Sequence, residues 1–77
     1  MELWIRSQDR LDLMKTTYIC VVGCCIEVSG AERTLTFGNY KSEERALEVL
    51  DEIQKILNLE YKFLRDLSSY VYEMPEV

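Results

Sequence analysis

Leu3-Trp4-Ile5-Arg6 alternates, with Leu3 and Ile5 on one side and Trp4 and Arg6 on the other. This period of two predicts a short strand. Ser7-Gln8-Asp9-Arg10 reads as a polar turn, because Ser and Asp compete for nearby backbone bonds. Residues 11–15 begin a returning strand. Residues 16–28 are rich in Thr, Tyr, Ile, Val and Cys, which suit a pleated, half-buried surface. The stretch is long for one strand. It reads either as a hairpin turning at Val22-Gly23-Cys24 or as one long bent strand. Ser29-Gly30-Ala31-Glu32 is a stronger turn signal, and residues 33–37 alternate again before Gly38-Asn39 ends that strand.

The period then changes. Ser42 is a good N-cap, with Glu43 and Glu44 in the first turn where carboxylates favour the helix dipole. Ala46, Leu50, Ile53, Leu57, Tyr61 and Leu64 form a helical stripe, widened by Val49, Ile56 and Phe63. With no Gly or Pro between residues 39 and 74, one helix can reach Leu67. Residues 69–74 return to a period of two, with Tyr70, Tyr72 and Met74 sharing a side, and Pro75 closes the strand. The expected fold is a single α+β domain over residues 1–77. In it, a small antiparallel sheet of four to five short strands is covered by one long helix in the C-terminal half. The widened stripe exceeds what short strands easily cover, which predicts a homo-oligomer, a dimer or higher.

Composition narrows the chemistry. The 77 residues contain no histidine, which removes the commonest general base and most zinc sites. No Gly-rich phosphate loop, C-x-x-C or H-E-x-x-H motif occurs. The reading is therefore a binding protein, not an enzyme, with no cofactor and no metal. Cys20, Cys24 and Cys25 lie in an apolar stretch and read as buried, reduced small hydrophobes. The N-terminus is charged at once and shows no signal-peptide pattern, and no apolar run approaches the ~20 residues of a membrane helix. A cytoplasmic protein without membrane contact is expected. The net charge of −5 lies wholly in residues 42–77, which opposes direct nucleic-acid binding and suits a basic protein partner.

Two constellations offer binding chemistry. At the end of the first strand, Trp4, Arg6 and Gln8 combine a stacking surface, a guanidinium fork and an amide. At the helix start, Lys41 and Arg45 come to free backbone N–H groups, an end that can hold an anion, with Tyr40 as a second stacking surface. Glu44, Glu48, Asp51 and Glu52 form an outer acidic helix face, the candidate surface for a protein partner.

The opening at residues 3–10 resembles the W-I-R-S-Q-D-K start of a family of small uncharacterised proteins from phages and prophages of Firmicutes. Residues 38–54 are similar to that family's second block, roughly G-x-Y-x-S-x-E-R-A-x-x-V-L-D-E-I. The ending Val71-Tyr72-Glu73-Met74-Pro75 looks like its aromatic-x-M-P close. The match spans about half the chain, while Val22-Gly23-Cys24-Cys25 departs from the polar hairpin turn of the pattern. The resemblance implies an accessory protein of a mobile element, made in the cytoplasm of a bacterial host cell. The layout of small sheet and long helix loosely resembles phage proteins that sequester cyclic-nucleotide signals. Two roles are expected from it. One is an anti-defence protein sequestering a small anionic, cyclic-nucleotide-like signal. The other is an inhibitor of a host factor, such as a defence protein, through the acidic helix face. A structural or regulatory phage protein is the third.

Overall fold

The computed structural model describes residues 3–63 and 71–77, the side chains of 59–63 excepted. Six strands and one helix follow in the order β1 (Leu3–Arg6), β2 (Leu13–Thr16), β3 (Tyr18–Val22), β4 (Cys25–Ser29), β5 (Thr34–Asn39), α1 (Glu43–Phe63) and β6 (Val71–Glu73). The α+β class agrees with the sequence. The sheet does not, because there are two three-stranded sheets, β2-β1-β6 and β3-β4-β5. β6 runs parallel to β1, with Ile5 opposite Tyr72, so β1 is a central strand paired on both edges. Every other strand pair is antiparallel.

Within residues 16–28, Thr16 ends β2 and the rest from Tyr18 onward is a hairpin of β3 and β4. Gly23 has φ 62° and Cys24 completes a two-residue loop, which matches the twist of the strands it joins. β5 extends past Gly38 to Asn39. A bulge lets it do so: Ile26 faces Gly38 while Glu27 faces Thr36, leaving Phe37 without an opposite partner. The bulge breaks the alternation, so Phe37 and Gly38 are both buried. The Phe37 carbonyl then accepts the Gln8 N–H at 2.8 Å, which ties the end of β1 to the other sheet.

Ser42 caps α1, its Oγ accepting the Arg45 N–H at 3.1 Å. Ala46, Val49 and Ile53 are buried, and Leu50, Ile56 and Leu57 are half-buried, so the described part of the stripe faces inward as expected. The helix packs on β3 and β4. The core joins Leu3 and Ile5 of β1, Ile26 and Val28 of β4, Phe37, Tyr40, the three buried helix residues, Tyr72 and Met74. Tyr72 and Met74 share the inward side as their spacing predicts, whereas Tyr61, Phe63, Leu64, the helix end at Leu67, and Tyr70 lie outside the described residues. The cysteines are not core residues: all three are half-buried and free. Cys20 alternates with Ile19 and Val21, the β3 residues that pack on the core, and Cys24 occupies the turn. No helix among the described residues is long and apolar enough to cross a membrane.

Candidate functional site

The turn after β1 is built by Ser7 and Asp9. The Ser7 hydroxyl donates to Asp9 Oδ1 at 2.6 Å and accepts the Asp12 N–H at 3.0 Å, and Asp9 also accepts the Leu11 N–H at 2.9 Å. Those donors hold the Asp9 carboxyl below its usual range, the Ser7 hydroxyl contributing most. Arg10 adopts φ 70° in this turn, and its carbonyl is gripped by Nε and Nη2 of Arg6 at 3.1 and 3.0 Å. Arg6 thus fastens the turn, which aims Gln8 at β5.

Gln8 acts as a short substitute strand. Its Nε2 donates to the Asn39 carbonyl at 3.1 Å while its Oε1 accepts the Asn39 N–H at 2.8 Å. The chain then turns into Tyr40, whose N–H donates to the Cys24 carbonyl at 2.9 Å. Tyr40 is buried, and Arg45 from the first turn of α1 lies over its ring, 5.9 Å from the centroid. Burial pushes the Tyr40 hydroxyl above its usual pKa against the pull of Arg45.

Gln8 from the turn after β1, Tyr40 from the β5–α1 loop and Arg45 from α1 converge on the main chain of residues 75–77. The Tyr40 hydroxyl donates to the Pro75 carbonyl at 3.0 Å, and Gln8 Nε2 donates to that of Glu76 at 2.7 Å. Nε and Nη2 of Arg45 both donate to the main-chain oxygen of Val77, at 3.2 and 3.0 Å. Three successive main-chain oxygens are therefore read by three side chains. Arg10 adds ion pairs to Glu73 at 3.1 Å and Glu76 at 3.8 Å, and the Met74 N–H donates to the Arg6 carbonyl at 3.1 Å. Glu48 sits against Arg45 Nη1 at 3.3 Å and offsets part of its charge. A hollow of about 200 Å³ adjoins this cradle, lined by Ser7, Gln8, Asp9, Phe37 and Asn39 among others.

Of the six residues proposed from sequence for ligand contact, the structure brings together Gln8, Tyr40 and Arg45. Arg6 supports them through the turn. Lys41 is exposed in the loop before α1, and Trp4 lies in the middle of β1 between Lys15 and Val71, half-buried. On the acidic face, Glu44, Glu48, Asp51 and Glu52 are all exposed, but Glu52 accepts the Tyr72 hydroxyl at 2.9 Å. Burial, and then this carboxylate, push the Tyr72 hydroxyl far above its ordinary range. Arg10, Asn39 and residues 75–77 belong to the site and were not singled out. The signal for Arg10 was available in the acids Glu73 and Glu76, but only the parallel docking of β6 brings them to it. Among the described residues no group of three or more Cys, Asp or Glu side chains is placed to hold a metal ion.

Comparisons of the chain with protein-family models, with curated proteins and with solved structures return no match.

Proposed function

We propose that the protein acts by binding rather than catalysis, capturing a small oxyanion-bearing ligand at the Gln8–Tyr40–Arg45 cradle. One observation carries this reading: amide, phenol and guanidinium donors from three parts of the chain converge on a row of oxygens. Such a row suits phosphate or carboxylate oxygens, and the Arg45 fork directs two N–H groups at one of them. The family resemblance points the ligand class toward a phosphate-bearing signal such as a cyclic nucleotide, in an anti-defence role within a bacterial host cytoplasm. Protein purified from bacterial cells should release a nucleotide on heating, and Arg45→Ala should release none. Recovery of no anionic small molecule from the wild type, with no calorimetric response to cyclic nucleotides, removes the reading.

A second reading has its own support, the exposed carboxylates of Glu44, Glu48 and Asp51 on α1. In it, that face inhibits a host factor by docking on a basic surface. Charge reversal at Glu44 and Asp51 would then abolish activity while Arg45→Ala spares it. In either reading we propose a homo-oligomer, with the half-buried Leu50 of α1 and the exposed Tyr18 of β3, which line one open hollow, available to a second copy. Light scattering at about 100 µM, where micromolar dimers are saturated, should give at least twice the chain mass.

A further inference from the structure

The cradle is occupied, and its occupant is the chain itself. Residues 75–77 are held through their main-chain oxygens, so Gln8, Tyr40 and Arg45 read no side chain of this segment. What they recognise is a line of oxygen acceptors, and the segment is a stand-in for any ligand that offers one. Glu76 of this segment adds to the likeness by placing a carboxylate near Arg10, beside that of Glu73 at the end of β6. Beyond Met74, which is fully buried, the chain becomes half-buried and then exposed, so the anchoring in the core ends where the cradle contacts begin. The polar contacts of Gln8 and Arg45 with it are exposed to solvent, where each is worth little individually and exchanges readily.

We propose that residues 75–77 are a strap that closes the Gln8–Tyr40–Arg45 cradle, so that docking of the chain's own tail and capture of an oxyanion exclude each other. The strap is an autoinhibitory contact: it keeps the arginine fork occupied until a ligand with better-placed oxygens displaces it. The ligand half of this inference rests on the capture reading above, while the strap half stands on the contacts alone. A tethered competitor acts at an effective concentration near millimolar, so it raises the ligand concentration needed without blocking the site.

The test uses the full chain, with inorganic pyrophosphate and citrate as separate probes for phosphate and carboxylate. ¹⁵N relaxation follows the Glu76 and Val77 amides. In the wild type their order parameters should lie near those of β4, about 0.8, and should fall below about 0.6 when either probe reaches saturation. Arg45→Ala should free the tail without any probe and should weaken probe binding at least about tenfold. Pro75→Gly with Glu76→Gln loosens the strap and leaves the cradle residues untouched, so it should bind the same probe about three- to tenfold more tightly than wild type. A tail that stays ordered in Arg45→Ala overturns the strap. A calorimetric response to either probe with the tail still ordered also overturns it, and leaves capture standing. A tail freed by Arg45→Ala while neither probe binds any variant overturns capture and, with it, the exclusion.

Discussion

Gly38→Ala should destabilise the protein, against the usual direction of a glycine-to-alanine change. Gly38 does not share the positive φ of Gly23, so its backbone accepts alanine. In the absence of a clash, the smaller entropy of the unfolded chain would then stabilise by about 0.4–1 kcal/mol. The space decides otherwise. A Cβ at Gly38 would lie 2.6 Å from Tyr40 Cε2, 2.9 Å from its hydroxyl and 3.0 Å from Met74 Cε. Carbon pairs rest at about 3.5–4.0 Å, so the ring must retreat by roughly 1 Å. Met74 gives way through its flexible thioether end, but the Tyr40 ring is rigid, buried, and tied through its hydroxyl to Pro75. Overpacking costs about 1–3 kcal/mol and loss of the hydroxyl's bond about 0.5–1.5 more. The clash exceeds the entropic gain, and a net loss of about 1–3 kcal/mol is expected. In a domain of this size that lowers Tm by roughly 4–8 °C per kcal/mol. Urea denaturation of the wild type, Gly38→Ala, Tyr40→Ala and the double variant measures it as a cycle. With the ring gone, Gly38→Ala should become neutral or stabilising. A Gly38→Ala protein as stable as the wild type, or a penalty that persists without Tyr40, would refute the packing argument.

Gly23→Ala is the contrasting case: its Cβ meets nothing within 4 Å, so only the strain of φ 62° counts, about 1–2 kcal/mol by thermal melts. Ser42→Ala should cost about 1 kcal/mol by removing the acceptor of the Arg45 N–H, while Ser42→Asp should retain most of the stability. Stability should fall as pH rises above about 10. Tyr40 and Tyr72 keep their protons in the fold after an unfolded chain has lost them, so the unfolded state binds fewer protons and gains. For Tyr72, the more strongly shifted of the two, the slope approaches about 1.4 kcal/mol per pH unit, and Tyr72→Phe should flatten it. A melting temperature unchanged between pH 9 and 11.5 would contradict both assignments. Phe37→Ala removes the largest fully buried side chain among the described residues and should cost about 3–5 kcal/mol, a large part of the stability of a domain of this size.

The elements were legible because their signals are local. Alternation in Leu3–Arg6, Gly23 in the hairpin loop and the Ser42 cap each act over a few residues. Strand pairing is not local. Nothing in Val71-Tyr72-Glu73 indicates that it docks parallel beside β1, because the same period of two serves either direction. The division into two sheets is equally non-local, since it turns on β2 pairing with β1 and β3 with β4 but not β2 with β3. The bulge at Phe37 was hidden for a related reason: Thr34 to Phe37 alternates cleanly, and the break appears only as two successive buried positions. At the site, residue type identified Gln8 and Arg45 as polar contacts and Tyr40 as a stacking surface, yet the partners of all three, and the donor role of the Tyr40 hydroxyl, depend on where residues 75–77 lie. The cysteines were misplaced because a β-branched, apolar stretch supplies both faces of a strand, and composition does not say which face is inside.

The parallel pairing of β1 with β6 also sets a timetable. Among the described strands β1 precedes all the others and β6 follows them, so one edge of β1 has no partner until the chain through Glu73 is available. The β3-β4-β5 meander closes through short turns and needs no such wait. A nascent chain thus carries Leu3 and Ile5 beside an open row of backbone donors and acceptors, a template for wrong pairing with a neighbouring chain. Trp4 sits on that strand directly opposite Val71. Its fluorescence is a built-in clock for the final closure, and rapid refolding of the meander should precede the change it reports.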